Sequence, residues 1–155
     1  MFKSATSSIT KQFQKQQILS VFTGKYMELL NIFDNLLVNN NDIKTIINMT
    51  GIIKKTNPSL MIKLWNISVT QKYNIEIEEV NNGEYSFWLN NDFNKTFDEI
   101  AKDDMWNELG KIIVVDLQNK IKTNYNSNEY IKMKTDNMFN LGYEINKLSK
   151  LYYSL

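Results

Sequence analysis

The segment from Met105 to Ile121 reads MWNELGKIIVVDLQNKI and is the longest part of the chain that is both strongly apolar and helically periodic. Its apolar side chains recur every three or four residues, namely Trp106, Leu109, Ile113, Leu117 and Ile121. This spacing places them on one face of a helix, and Ile112 and Val114 widen that face. A helix this apolar is covered by neighbours on two or more sides. The segment therefore predicts the central helix of an all-α domain.

Helical periodicity also marks both ends of the chain. Apolar residues step by three and four from Leu19 to Leu36, and again from Met138 to Leu155. The second run is the cleaner seven-residue repeat, and its positions are Met138, Leu141, Ile145, Leu148 and Tyr152. Two interpretations follow. In the first, the first and last helices pack on the central helix within one chain. In the second, one terminal helix pairs with another chain and makes a homo-oligomer, and the helix over 138–155 is the better candidate.

Periodicity and cap residues together divide the whole chain into five or six helices, which are expected to form a compact bundle. The first helix is expected to end at Val38, and the later helices are expected to start at Asp42, at Asn57-Pro58, at Asn94 or Thr96, and at Ser127 or Asn128. We find no linker or repeat, so residues 1–155 form a single helical domain in which 1–6 are expected to fray.

Residues 75–90 allow two structures. The alternation of Ile75 to Glu78, the dipeptide Asn82-Gly83 and the aromatic residues that follow are typical of a small β-hairpin. Alternatively, Trp65 to Val80 is one helix that ends at Gly83 as its C-terminal cap. We favour the helix, because a lone hairpin is marginally stable and no third strand is visible.

The composition excludes most kinds of catalytic site. The chain has no cysteine, no histidine and no arginine, so thiolate chemistry, imidazole bases and catalytic triads are all absent. It has only five glycines and no phosphate-binding loop motif. Pairs four residues apart in the acidic group Asp98, Glu99, Asp103, Asp104 and Glu108 are able to hold a divalent cation. Without a Glu-x-x-His motif we interpret that group as a solvated acidic face, and we expect no enzyme, metal or cofactor.

Charge is distributed unevenly along the chain. Residues 1–72 carry +6, residues 73–110 carry −8 and residues 111–155 carry +3. A nucleic-acid-binding protein usually has a sustained basic surface, so this pattern disfavours nucleic acid, and an acidic middle between basic flanks fits charge matching within the chain or between subunits as easily. The N-terminus lacks the apolar run of a signal peptide, and no stretch approaches 18 apolar residues. We therefore expect a protein that is neither secreted nor membrane-spanning.

A dense aromatic group occurs after the ambiguous segment. Its members are Tyr85, Phe87, Trp88, Phe93 and Phe97. Aromatic side chains beside a turn either pack in the core or anchor a protein partner. Together with the last helix they give a candidate interface, which consists of Trp65, Phe87, Trp88, Phe93, Met138, Leu141, Ile145, Leu148 and Tyr152.

Residues 58–93 carry a resemblance to a known class of protein. The matching residues are Pro58, Met61-Ile62-Lys63, Trp65, Tyr73, Gly83, Phe87-Trp88-Leu89 and Asp92-Phe93. This pattern resembles short virion-type proteins of nucleocytoplasmic large DNA viruses. The abundance of Asn, Lys and Ile, and the scarcity of Ala, Arg, Gly and Pro, indicate an AT-rich genome of the kind such viruses have.

The resemblance implies a non-enzymatic minor capsid or virion component that contacts capsid or other virion proteins. The expected location is then the virion, or the cytoplasm if the source is not a virus. Two alternatives remain open at this point: an intracellular regulatory adaptor that binds a protein partner, and a nucleic-acid-binding protein that uses the lysine-rich first half of the chain.

Overall fold

The computed structural model describes residues 2–38, 40–100 and 105–155, with side chains described for 8–38, 40–97 and 108–155. Within these ranges every regular element is a helix and there is no strand. The predicted all-α class is therefore confirmed. No helix in the described ranges is long and apolar enough to cross a lipid bilayer.

The helices follow one another with short connections. They are α1 (Phe2–Leu36), α2 (Asn41–Thr56), α3 (Pro58–Trp65), a π-helical segment (Asn66–Thr70), α4 (Gln71–Val80), α5 (Ser86–Asn90), α6 (Phe93–Ile100), α7 (Met105–Asn124) and α8 (Glu129–Ser154). The run from α3 through the π-helical segment to α4 is continuous. The described chain thus consists of six longer helical runs and the single-turn helix α5.

The first and last helices form the most extensive contact between two elements. They lie antiparallel, because the ammonium of Lys25 contacts Glu144 at 2.7 Å and that of Lys15 lies over the ring of Tyr152. Their apolar repeats face each other and the rest of the core, which supports the interpretation in which both seams pack within one chain. They pack mainly on each other, however, rather than on the helix predicted to be central.

Helix α7 lies at one side of the core and not at its centre. Its inward residues Ile113, Leu117 and Ile121 are buried, as the periodicity of this segment predicts. The helix as a whole contacts α2, α5, α6 and α8, and to a smaller extent α1. Ile112 is exposed, so the apolar face is narrower than its sequence indicates, and the side chain of Trp106 lies outside the described residues.

Residues 75–90 contain no strand, and the hairpin alternative is wrong. The helix continues to Val80 and ends in a Schellman motif, in which the N–H of Glu84 donates to the carbonyl of Glu79 at 3.2 Å and the N–H of Gly83 donates to that of Val80 at 2.9 Å. Gly83 has φ of +79°, a conformation that favours glycine. The favoured helical alternative, with Gly83 as its cap, is confirmed.

Three of the predicted helix ends differ from the structure by a few residues. Helix α1 ends at Leu36, and the N-cap of α2 is Asn40, whose side-chain oxygen accepts from the N–H groups of Asp42 and Ile43. The residue that caps the N-terminus of α6 is Asp92, and not Asn94 or Thr96 as predicted. Its side-chain oxygen accepts from the N–H of Lys95 at 3.3 Å. In both cases an earlier Asn or Asp already satisfies the first free N–H groups. Asn128 caps α8 as predicted.

Candidate interaction surface

A buried amide on α8 holds the α3–α4 run against the bundle. Asn146 is fully buried, and its side-chain oxygen accepts from the indole N–H of Trp65 at 3.2 Å and from the hydroxyl of Thr70 at 2.6 Å. Its amide nitrogen donates to the side chain of Asn74 at 3.3 Å. Three of the four hydrogen bonds available to an amide are therefore made inside the protein. The three partners lie at both ends of the π-helical segment, so this network fixes how the run crosses α8.

The π-helical segment is followed by a kink at Tyr73, where φ is −127° and ψ is 24°. The ring of Tyr73 packs on Phe87 and Trp88, with centroid distances of 5.5 and 5.6 Å. Short π-helical turns inside helices occur frequently at functional sites. The inner face of the run is occupied by the polar network and this aromatic packing, so any contact with a partner is made by its outer face.

The outer face of the α3–α4 run carries a row of exposed apolar residues. Exposure recurs every four residues, at 63–64, 67–68, 71–72 and 75, which is the pattern of one outward face along the whole run. The apolar members are Leu64, Ile67 and Ile75, of which Ile75 is 71 % exposed. We call these three residues the α3–α4 stripe.

Positions four apart drift around an α-helix, and the wider π-helical turn offsets that drift and keeps the stripe in line. The border of the stripe is basic along Leu64 and Ile67, whereas Glu78 and Glu79 lie one turn beyond Ile75. Lys63 and Lys72 are exposed beside it, and no acidic residue occurs between Asp42 and Glu76. Single exposed apolar residues are ordinary, whereas an aligned apolar row with a polar rim is typical of an interaction site.

The aromatic residues of the predicted interface pack chiefly within the chain. Phe93 is buried, and Phe87 and Trp88 are half-buried against it. The indole N–H of Trp88 donates to the carbonyl of Glu76 at 3.3 Å, and the carbonyl of Trp88 accepts from Gln118 of α7 at 3.0 Å. This group therefore joins α4, α5, α6 and α7. Phe97 lies near Gly110 of α7.

Trp65 is also part of the core. Its ring meets the edges of Phe22 and Tyr26 of α1, at centroid distances of 6.3 and 6.2 Å. The predicted interface residues of the last helix, Met138, Leu141, Ile145, Leu148 and Tyr152, likewise belong to the core cluster or pack against it. Their role as an interface to another chain stays a prediction, and contact through their buried atoms needs α8 to leave α1.

Tyr85 is separated from the other aromatics and belongs to a polar group around Asp136. Its ring stacks on Phe139 at 4.2 Å, and its hydroxyl donates to Asp136 at 3.2 Å. Tyr125 donates to the same carboxylate oxygen at 2.8 Å, and Lys132 pairs with the other oxygen at 3.3 Å. Burial, and then the neighbouring Asp136 carboxylate, raise the pKa of Tyr85 to about 12. The group joins the segment before α5 to the start of α8.

The described part of the chain contains no group of three or more acidic residues placed to hold a metal ion. The candidate cation site of the sequence falls largely elsewhere, since Asp98, Glu99, Asp103 and Asp104 lie outside the described side chains. Glu108 is described and exposed. The described residues thus give no geometric support to the cation alternative.

Comparison with known proteins gives no relative. No protein-family model matches the chain, and neither a curated protein nor a solved structure is significantly similar to it. The candidate surface therefore depends on the geometry of this chain alone. The α3–α4 stripe cannot be recognised from the sequence, because Leu64, Ile67 and Ile75 share one helical face and have the spacing of residues that pack in a core. Exposure at intervals of four residues, combined with the lysines beside it, is the signal that identifies it.

Proposed function

We propose that this chain is a non-enzymatic interaction protein that binds another protein through the α3–α4 stripe. The supporting observation is the aligned row of Leu64, Ile67 and Ile75 on a helical run whose inner face is fastened to α8. A rigidly held apolar row is suited to binding, because little conformational entropy is lost when a partner covers it. The absence of histidine, cysteine and arginine from the sequence supports a role without catalysis.

The chemistry of the border defines the kind of partner. An amphipathic helix with apolar residues three and four apart fits a helical row of this length, which is about 16 Å from Leu64 to Ile75. Because the exposed cations here are Lys63 and Lys72, acidic residues beside the partner's apolar face complement the surface. The proposed partner is therefore an acidic, amphipathic helix of a larger protein.

The proposed setting is the virion of a large DNA virus, where the chain is a minor capsid component. This part of the proposal is supported by the resemblance of residues 58–93 and by the composition typical of an AT-rich genome. It predicts that mass spectrometry of purified particles detects the chain in a constant ratio to the major capsid protein. Presence in infected cells without incorporation into particles would instead support the regulatory adaptor.

A matched pair of variants tests the binding surface. Ile67 on the stripe and Ile112 on α7 have similar exposure, 45 % and 42 %, so replacing either one by glutamine changes a similar amount of apolar surface. We expect I67Q to reduce partner retention on the tagged chain at least tenfold, and I112Q to leave it unchanged. Cross-linking mass spectrometry of the wild-type complex then locates the contact. Equal retention by the two variants contradicts the assignment.

The nucleic-acid alternative has its own test. If the lysines of residues 1–72 bind phosphates, affinity for double-stranded DNA falls steeply as salt is raised. We expect no binding at low salt, and salt-sensitive binding that I67Q does not change would favour this alternative over a protein partner.

A further inference from the structure

The first helix extends beyond the bundle. Lys15 of α1 is level with Tyr152, and the described part of α8 ends at Ser154, so the part of α1 before about residue 13 lies past the last described turn of α8. We call residues 8–14 of α1 the overhang. Every side chain from Ser8 to Gln14 is exposed, and Leu19 is the first buried residue among the described side chains of α1. Within residues 8–14 the large apolar residues are Ile9 at 68 % and Phe13 at 64 % exposure.

The lysines and the apolar residues of the overhang lie on different faces. Lys15 faces the end of α8, and Lys11 lies one turn before it on the same side. Phe13 is two residues from each, which places it about 200° around the helix from both. The face centred on Phe13 continues along α1 without a charged residue, and its members are Ile9, Phe13, Gln16, Gln17, Ser20 and Gly24. We call these six residues the outer α1 face.

Gly24 is the second observation on this face. It lies in the interior of a 35-residue helix, where glycine is an unfavourable residue. A Cβ atom added at Gly24 meets nothing within 4 Å, so no neighbour among the described residues requires glycine there. Ser20, one turn earlier, is exposed and also small. The outer α1 face therefore has large residues at its N-terminal end and small residues at its C-terminal end.

We propose that the outer α1 face binds the same face of a second copy of this chain in an antiparallel, two-fold symmetric dimer. In that orientation the large end of one copy meets the small end of the other. Ile9 packs over Gly24 of the other copy, Phe13 packs against its Ser20, and the glutamines at 16 and 17 lie side by side at the centre. Small residues allow two helices to approach closely, and a two-fold contact uses each pair twice.

The distribution of charge on α1 favours a second copy of the chain over an acidic protein or a lipid surface as the partner of the outer α1 face. An acidic protein would be attracted to the face with Lys11 and Lys15, and not to the outer α1 face, which has no charge. Binding to a lipid surface would bury the polar side chains of Gln16, Gln17 and Ser20 together with the two apolar residues, which is unfavourable. A second copy leaves Lys11 in solvent and pairs amide with amide. It thereby covers Ile9 and Phe13 without bringing like charges into contact.

The contact spans about four helical turns of each copy, and its six residues per copy are fewer than the roughly 20–30 per side of a standard stable interface. The dimer is therefore expected to form in a concentration-dependent way. The proposed dimer uses the outer α1 face, whereas the proposed partner binds the α3–α4 stripe. The dimer and the proposed binding function can accordingly fail independently of each other.

Sedimentation equilibrium of the full chain from micromolar to millimolar concentration tests the dimer. We expect the wild-type chain to pass from monomer to dimer, and F13Q and G24L to shift the dissociation constant upward at least tenfold. Leucine is a better helix former than glycine, so misfolding does not account for the effect of G24L. K11Q, on the opposite face of the same overhang, is the control and should dimerise as the wild type does. A wild-type chain that stays monomeric throughout overturns the proposal.

Cysteine cross-linking tests the antiparallel register, because the natural chain has no cysteine. We expect a mixture of F13C and S20C variants to form a disulfide-linked heterodimer rapidly under mild oxidation. A mixture of K11C and S20C should form it at least tenfold more slowly. Equal rates for the two mixtures, or dimers formed only between two F13C chains, would contradict the proposed arrangement.

Discussion

At the scale of single residues, one buried hydroxyl lacks a partner. Thr50 of α2 is buried, and its side-chain oxygen makes no hydrogen bond. Burying a hydroxyl without a partner costs roughly 1–3 kcal/mol, so we expect Thr50→Val, which has nearly the same shape, to raise the free energy of unfolding by about 1 kcal/mol. Urea unfolding followed by circular dichroism measures this change.

Thr135 of α8 is the matched control for Thr50. It is also fully buried, but its hydroxyl donates to the carbonyl of Ile131 at 2.7 Å. Because Thr135→Val removes a hydrogen bond that is made, we expect it to lower the free energy of unfolding by about 1 kcal/mol. If both variants shift stability in the same direction, hydrogen bonding does not explain the difference between the two sites.

Two glycines should respond to alanine with opposite signs. Gly83 has a positive φ that alanine adopts poorly, and we expect Gly83→Ala to destabilise the protein by about 1 kcal/mol. Gly24 is helical with open space around it, and Gly24→Ala should stabilise the monomer by roughly 0.5–1 kcal/mol. Unfolding at low micromolar concentration, where the proposed dimer is dissociated, measures both. A stabilising Gly83→Ala would mean that the Schellman motif does not persist in solution.

At the scale of helices, the attachment of the α3–α4 run to α8 depends on Asn146. Its loss leaves Trp65, Thr70 and Asn74 without their shared partner in a buried site. We expect Asn146→Ala to lower the free energy of unfolding by roughly 2–4 kcal/mol, because several polar groups become unsatisfied together. Asn140 lies on the exposed side of the same helix, and Asn140→Ala should change stability by less than about 0.5 kcal/mol. Similar losses in the two variants would show that the network contributes little.

The helices themselves were largely predictable, and their mutual arrangement was not. The periodicity of apolar residues predicts the long helices, and Gly83 and Asn128 end or begin them where expected. Periodicity identifies a face that is covered, but not which element covers it. For that reason the sequence does not decide whether the apolar face of α8 packs on a partner chain or within the same chain. In the structure it is covered by α1, which lies more than a hundred residues earlier in the sequence.

The candidate surface was the least predictable part for a related reason. An apolar residue has the same identity whether it is buried or exposed, so sequence reasoning selected Trp65 and Ile145, which are in the core. Ile67 and Ile75 are exposed instead, on the face of the α3–α4 run that points away from α8. The opposite face of the run contacts Asn146 of α8, a long-range contact that no local pattern contains.

At the scale of the whole molecule, Tyr85 should affect how stability depends on pH. Burial and Asp136 raise the pKa of Tyr85 to about 12, above the value near 10 in an unfolded chain. Its contribution to stability is therefore complete below about pH 10 and is lost as the pH rises through about 12, since the unfolded chain releases this proton first. Urea unfolding of the wild type and of Tyr85→Phe between pH 8 and about 11.5 separates the effect of this residue from that of every group the two proteins share. We expect the difference in unfolding free energy between the wild type and Tyr85→Phe to be constant up to about pH 10 and to shrink above it, because phenylalanine has no proton to lose.

A difference that stays constant, or that widens with pH, would mean that Asp136 and burial do not raise the pKa of the Tyr85 phenol in solution.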